Sequence, residues 1–152
     1  MADKSLGTVV CIILIVAISI WFIADGWGLG GTDLHLINAT SAPADGDYDS
    51  LDAPLGTTYQ VTTGRTLELS SMALTASTST DIVVTFGYGD VHVESTSTAP
   101  TGAVTLAIFT IPAAAGLERL PLNGEIPSAK YPWVQIAGAA WPSQVLVDGV
   151  ER

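Results

Sequence analysis

The stretch DIVVTFGYG (residues 81–89) alternates apolar side chains with other residues at a period of two. Ile82, Val84, Phe86 and Tyr88 would therefore share one face of an extended strand, and no other part of the chain shows this pattern as clearly. A helix would spread the same four side chains around its circumference. The stretch predicts a half-buried β-strand.

Similar short runs lie on both sides of this stretch and are separated by turn-forming residues. They occupy residues 58–63, 66–76, 90–96, 103–111, 133–140 and 144–150. The run 66–76 changes phase between Leu69 and Met72, which predicts a β-bulge. The run 103–111 is apolar on both faces, which predicts a central strand of the sheet.

The number and spacing of these runs predict the fold class. About seven short strands with no long helical pattern between them are typical of an antiparallel β-sandwich or a jelly-roll-like domain. We expect residues 57–152 to form this domain. Pro112, Pro121 and Pro127 interrupt the pattern in residues 112–132, so this segment could hold one helical turn, at residues 113–117, but no longer helix.

The N-terminal part of the chain has a different character. LGTVVCIILIVAISIWFIA (residues 6–24) contains no charge, and a helix of this length spans about 28 Å, close to the hydrocarbon thickness of a bilayer. Residues 1–25 are therefore predicted to be a transmembrane anchor helix. Its bulky anchoring residues are Ile12, Ile13, Leu14, Ile15, Val16, Ile18, Ile20, Trp21, Phe22 and Ile23. A cleaved signal peptide and a helix buried in an assembly are the alternatives.

The residues that flank the anchor indicate its orientation. Trp21 and Trp27 are expected at the membrane interface, where an indole ring meets both lipid and water. Lys4 precedes the apolar run and Asp25 follows it, which favours a single-pass topology with the N-terminus inside and the C-terminal domain outside.

The glycines after the anchor match the spacing G-x-G-x-x-G. A dinucleotide-binding loop of this kind needs a strand before it and a helix after it, and this sequence predicts neither there. The glycines are instead predicted to act as a hinge at the start of a Gly- and Asp-rich linker, residues 26–56. The hinge residues are Gly26, Gly28, Gly30 and Gly31.

The composition excludes one class of partner. The net charge is −10, and five Lys and Arg residues cannot form the basic surface that nucleic acids require. The single cysteine, Cys11, rules out an intrachain disulfide, so core packing must stabilise the domain. A small β domain of this kind gains from self-association, and we expect a homo-oligomer.

One acidic cluster is a candidate metal site. Oxygen ligands at this density could bind Ca²⁺, with a solvated acidic loop as the alternative, and no other cofactor is expected. Ser50 and Gly56 stand where an EF-hand requires Gly and Glu, so that motif is excluded. The cluster consists of Asp45, Asp47, Asp49 and Asp52. The only histidines, His35 and His92, are too far apart in sequence to predict a metal site.

No residue pattern indicates catalysis. The chain has no G-x-S-x-G motif and its cysteine lies in the apolar run, so we expect a protein that is not an enzyme and assign no catalytic residue. Several aromatic residues could form a sugar-stacking platform, which leaves a carbohydrate-binding module open. These residues are Tyr59, Tyr88, Tyr131, Trp133 and Trp141.

Two stretches carry a resemblance to known proteins. At IVVTFGYGD (82–90) and YPWVQIAGAAWPSQVLVDGVER (131–152), the chain resembles small β-sandwich structural proteins of bacteriophages. With its apolar N-terminus, it is similar in plan to minor capsid or spike-associated proteins of viruses with an internal membrane. This resemblance implies a virion protein that ties a lipid membrane to other capsid proteins. A pilin-like filament subunit and an anchored cell-surface adhesin share the same plan and remain alternatives.

Overall fold

A computed structural model describes residues 31–38, 43–54, 56–76, 79–114, 116–138 and 145–152. Residues Thr32–Glu151 form one compact unit. Its nine strands are β1 (Thr32–Asn38), β2 (Tyr48–Ala53), β3 (Thr57–Thr58), β4 (Leu67–Ala76), β5 (Ile82–Gly89), β6 (Val104–Ile111), β7 (Gly116–Ile126), β8 (Tyr131–Ala137) and β9 (Val145–Glu151).

The predicted anchor, residues 1–25, lies outside the described residues. So do Trp27 and three of the hinge glycines, whereas Gly31 is an exposed residue directly before β1. None of the described residues forms an apolar helix of bilayer-spanning length.

The strands form one antiparallel sheet, which confirms the prediction of a mainly β, antiparallel fold. The strand order is β6-β5-β8-β2-β1-β9-β4-β7, and β3 pairs with β2 alone. Strand β2 serves two sets of neighbours. Its residues 48–50 pair with β8, whereas residues 51–53 pair with β1 and β3. The sheet therefore has two halves, β6-β5-β8 and β1-β9-β4-β7, which are joined through β2 in the manner of a corner strand.

Alternating apolar side chains from both halves form one hydrophobic core. Ile82, Val84 and Phe86 are fully buried and Tyr88 packs against the core, as the period of two predicts. Burial of each such side chain contributes roughly 1.5–3 kcal/mol to folding. The other buried members are Leu36, Leu51, Tyr59, Val61, Leu67, Leu69, Met72, Leu74, Ile111, Leu122, Ile126, Val134, Ile136, Val145 and Val147.

The predicted bulge in β4 is confirmed. The register shifts between Leu69 and Ser71 in the ladders with both β7 and β9. In the ladder with β9 the extra residue is Ser70, which donates its hydroxyl to the carbonyl oxygen of Asp148 at 2.9 Å. Because the bulge restores the phase, Leu69 before it and Met72 after it both face the core.

The folded sheet starts earlier than residue 57. Strands β1 and β2 lie within residues 26–56, the range that the sequence predicts to be a linker. Strand β2 escapes a hydrophobic-pattern search because three of its buried residues, Asp49, Ser50 and Asp52, are polar. The linker before the sheet therefore ends at Gly31.

Strand β6 differs from its predicted position. Residues 103–111 were predicted to be a central strand, but β6 lies at one end of the sheet. Its inner side packs on the core through Phe109 and the buried Ile111, whereas Ile108 on the other side is 65% exposed. Strand β6 therefore has apolar residues on both faces, although only one face is buried.

The structure differs from the sequence pattern in three further places. Strand β7 occupies Gly116–Ile126, within the segment where prolines interrupt the predicted strands, and Pro121 is tolerated there since β7 is the other end strand. Residues 90–96 form a loop with one isolated bridge rather than a strand. The run 58–63 contributes only Thr58 to a strand, although its Tyr59 and Val61 are buried in the core.

A buried carboxylate fastens the segment after β3 to β9. Glu151 is 5% exposed, accepts the hydroxyl of Tyr59 at 2.8 Å, and accepts the backbone N–H of Thr62 at 3.2 Å. Burial, the hydrogen bond to Glu151 and the negative charge of Glu151 together raise the pKa of Tyr59. Tyr59 is thus a permanent hydrogen-bond donor to this carboxylate.

We expect Tyr59→Phe to destabilise the domain by about 1–3 kcal/mol, because it leaves a buried carboxylate oxygen without its donor. The free energy of unfolding from urea denaturation measures the change. Tyr88→Phe removes a hydroxyl that has no hydrogen-bond partner among the described residues and serves as the matched control. Equal effects of the two variants would contradict the assigned role of Glu151.

Candidate functional site

The longest connection among the described strands, residues 90–103 between β5 and β6, folds back onto β2. We call it the capping loop. Backbone hydrogen bonds join Tyr48 and Thr96 in both directions, at 2.7 and 3.1 Å, and the N–H of Ser50 donates to the carbonyl of Val93 at 2.8 Å. The capping loop therefore lines the edge of β2 that β8 leaves open.

Two aspartates of the acidic cluster, Asp47 and Asp49, hold the capping loop in place. Ser95 donates its hydroxyl to Asp47 at 2.7 Å and its backbone N–H to Asp49 at 3.1 Å. Ser95 has a positive φ of 42°, a conformation that few non-glycine residues adopt. Ser50 accepts the N–H of Val93 at 2.9 Å. Since Asp49 and Ser50 are fully buried, these hydrogen bonds offset the cost of removing their polar groups from water.

A histidine–aspartate pair joins the capping loop to the second part of β2. His92 Nε2 lies 2.9 Å from Asp52 Oδ1, and the two side chains are 17% and 6% exposed. The imidazole also makes an edge-to-face contact with Tyr131, with ring centroids 5.9 Å apart. The alternation of His92 with Val91 and Val93 predicts that its ring lies on the solvent side of a strand, whereas the structure buries most of the ring.

The four aspartates of the predicted calcium cluster do not converge. Asp45 accepts the backbone N–H of Gly138 at 2.8 Å, Asp47 and Asp49 both accept hydrogen bonds from Ser95, and Asp52 contacts His92. Among the described residues, no group of three or more His, Cys, Asp and Glu side chains is placed to hold a metal ion. The cluster acts as a set of anchors for the chain around it.

Trp133 lies on the side of β8 that faces away from the core. It is 2% exposed, stands opposite Ser50 in the ladder, and makes an edge-to-face contact with Tyr48 at a centroid distance of 5.1 Å. Gly87 is opposite it on β5, and a Cβ there would lie 2.6 Å from Cζ2 of the indole. The indole Nε1 has no hydrogen-bond partner among the described residues.

The described members of the possible aromatic platform do not come together on one surface. Trp133 and Tyr59 are buried, on opposite sides of the sheet, and neither offers a flat face to a sugar ring. Tyr88 packs against the core, and Tyr131 contacts His92. Trp141 lies outside the described residues.

A second cluster of polar side chains extends across the four strands β1, β9, β4 and β7. His35 Nδ1 lies 2.6 Å from Asp148 Oδ1, Ser71 donates its hydroxyl to Asp148 Oδ2 at 3.0 Å, and Arg119 Nη2 lies 3.6 Å from the same oxygen. These residues belong to β1, β9, β4 and β7. We call them the Asp148 row, and its members were not predicted from sequence because each comes from a different strand.

The Asp148 row is built for cross-linking strands rather than for nucleophilic catalysis. In a nucleophilic triad the base contacts the hydroxyl, but here both Ser71 and His35 contact the carboxylate. Burial of Asp148 acts to raise its pKa, but hydrogen bonds from His35 and Ser71 and the charges of His35 and Arg119 outweigh it and lower the pKa of Asp148.

We expect His92→Ala to loosen the capping loop, because it removes the link to Asp52. Hydrogen exchange of the backbone amides of residues 91–96 should then accelerate by about tenfold, the effect of losing roughly 1.4 kcal/mol of local stability. His35→Ala, at the exposed histidine of the Asp148 row, is the matched control and should leave these amides unchanged. Unaltered exchange in His92→Ala would contradict the anchoring role.

We expect Asp148→Asn to lower stability at neutral pH more than at acidic pH. A lowered pKa in the folded state means that the folded chain binds this proton more weakly than the unfolded chain does. The stabilisation is therefore present above the unfolded pKa of about 3.9 and is lost as pH falls through the folded value. Urea denaturation at a series of pH values should show the wild-type advantage shrinking below about pH 4. A constant difference from pH 7 to pH 2 would contradict this interpretation.

Comparisons with protein-family models, with curated proteins and with solved structures give no match.

Proposed function

We propose that this chain is a non-enzymatic structural protein that is anchored in a membrane by its N-terminal segment and presents a β-sandwich-like domain for assembly with other proteins. In the form that the sequence resemblance suggests, the membrane and the assembly belong to a virion. The partners are then a lipid bilayer and other capsid proteins.

The observation that carries the proposal is the arrangement along the chain. An uncharged apolar run ends at residue 24, and β1 begins at Thr32, so only seven residues lie between them in sequence. A short connection suits a protein that fixes a β domain at a surface. It suits less well an adhesin that must reach a distant ligand.

The way the domain uses its polar residues supports the same role. Asp49, Asp52 and Glu151 are buried carboxylates, and each is hydrogen-bonded within the domain. Such groups hold loops and strands in place and are not aimed at a shared open site. Polar residues that stabilise the fold in this way suit a structural protein.

The test is membrane association of the full chain. We expect the wild-type protein to remain in the membrane fraction after an alkaline carbonate wash and to have the intact mass of residues 1 or 2 to 152. A variant with Ile15→Lys and Ile18→Lys should be released, because each lysine near the centre of a membrane helix costs about 2.5–3.5 kcal/mol. Its circular dichroism should still report the β domain.

Other results would overturn the proposal or change its form. A wild-type protein found in the soluble fraction, or one whose mass begins near Ile20, would refute anchoring. Loss of about the first seven residues with the apolar run retained would indicate a filament subunit instead. Recovery of the intact chain in purified virions, and not in cell membranes alone, is the result expected of the virion form.

A further inference from the structure

Strand β7 contains the sequence LNGE (residues 122–125), in which an asparagine precedes a glycine. The side-chain amide of an asparagine can react with the backbone nitrogen of the residue that follows it. A glycine in that position hinders the approach least, because it has no Cβ. The chain has two asparagines, and the other, Asn38, is followed by alanine. Asn123 is therefore the asparagine whose sequence favours this reaction.

Asn123 lies in an irregular part of the ladder between β4 and β7. One residue of β4, Ser70, is opposite two residues of β7, Leu122 and Asn123, and none of these three has a partner in that ladder. An unpaired residue of this kind marks a bulge, where the ladder is locally disrupted. Gly124 follows directly and has a φ of 155°, a conformation that residues with a side chain rarely adopt. The backbone at Asn123 thus lacks the pairing that restrains the rest of β7.

The side chain of Asn123 is accessible and unrestrained. It is exposed, and its carboxamide makes no hydrogen bond with the described residues. Gly124 and Glu125 are exposed as well. A Cβ added to Gly124 would have a single neighbour within 4 Å, Leu106 Cδ1 at 3.9 Å, so the space beside this residue is open. Water can therefore reach the reacting groups.

Asn38 has the opposite environment. It is 6% exposed, and its side-chain oxygen accepts the backbone N–H of Val145 at 2.8 Å. This hydrogen bond holds the carboxamide between β1 and β9 and keeps it away from the backbone nitrogen of the next residue. The same chain thus contains one asparagine that is free to react and one that is held in place.

We propose that Asn123 is a site of spontaneous deamidation. The backbone nitrogen of Gly124 loses its proton and bonds to the side-chain carbonyl carbon of Asn123, and the side-chain nitrogen leaves as ammonia. Water then opens the resulting succinimide ring at one of its two carbonyl carbons, which gives aspartate or isoaspartate. Water is the only co-reactant. This inference does not depend on the membrane role proposed above.

The products place a negative charge on an end strand of the sheet. Strand β7 already carries Glu118 and Glu125, and charged residues protect a sheet edge against pairing with another chain. A carboxylate at position 123 adds to this protection as the protein ages. Isoaspartate also lengthens the backbone by one carbon, and the bulge is the part of β7 where this change disturbs the fewest ladder pairs.

The test follows the full-length protein in detergent, incubated at mildly alkaline pH in water labelled with heavy oxygen. Mass spectrometry of proteolytic peptides then compares the two asparagines. We expect the peptide with Asn123 to exchange its amide NH2 for a labelled oxygen and to separate into aspartate and isoaspartate forms. The peptide with Asn38 should keep its amide. A synthetic peptide of residues 119–127, incubated in parallel, gives the rate of an unstructured chain.

Two variants complete the design. Asn123→Gln keeps an amide at the same exposed position, but its longer side chain closes the ring far more slowly, so we expect no label there. Tyr59→Phe lowers stability through its effect on Glu151 of β9 and should leave the rate at Asn123 unchanged. An acceleration in Tyr59→Phe would show that the reaction occurs in the unfolded chain and would overturn the proposal. So would an Asn123 amide that persists after the synthetic peptide is fully converted.

Discussion

Strand β2 has to satisfy two sets of neighbours within six residues. Residues 48–50 complete the ladder with β8, and residues 51–53 turn to β1 and β3. Without this switch the two halves of the sheet would not enclose one core. The corner is built from polar residues, and Asp49, Ser50 and Asp52 are all buried there. Their partners in the capping loop are what make such a corner tolerable in a hydrophobic domain.

Strands are predicted most accurately from sequence where their apolar residues all lie on one face. Residues 82–86 follow the period of two and are buried accordingly, and the bulge in β4 is visible as a change of phase. Position in the sheet is not visible in this way. Apolar residues on both faces predicted that residues 103–111 are central, but one of those faces is exposed on an end strand. The exposure of a strand face depends on which strands lie beside it, and a single sequence does not show this.

The candidate site shows the same limit at longer range. The acidic cluster resembles a set of metal ligands because its four carboxylates are close in sequence. Their partners are distant in sequence: Ser95 lies 48 residues from Asp47, and His92 lies 40 residues from Asp52. The same holds for Asp148, whose partner His35 is 113 residues away. Pairs of this kind are set by topology, so residue spacing alone cannot predict them.

The position of β9 has a consequence for how the protein is made. The last strand, residues Val145–Glu151, lies between β1 and β4, and it pairs with both. The half of the sheet that contains these strands cannot close until residues 145–151 are available, more than 100 residues after β1. Contacts of such high sequence separation also slow folding. Until β9 is in place, β1 and β4 each lack one neighbour and present open edges, the kind of unpaired strand that makes folding intermediates prone to aggregate.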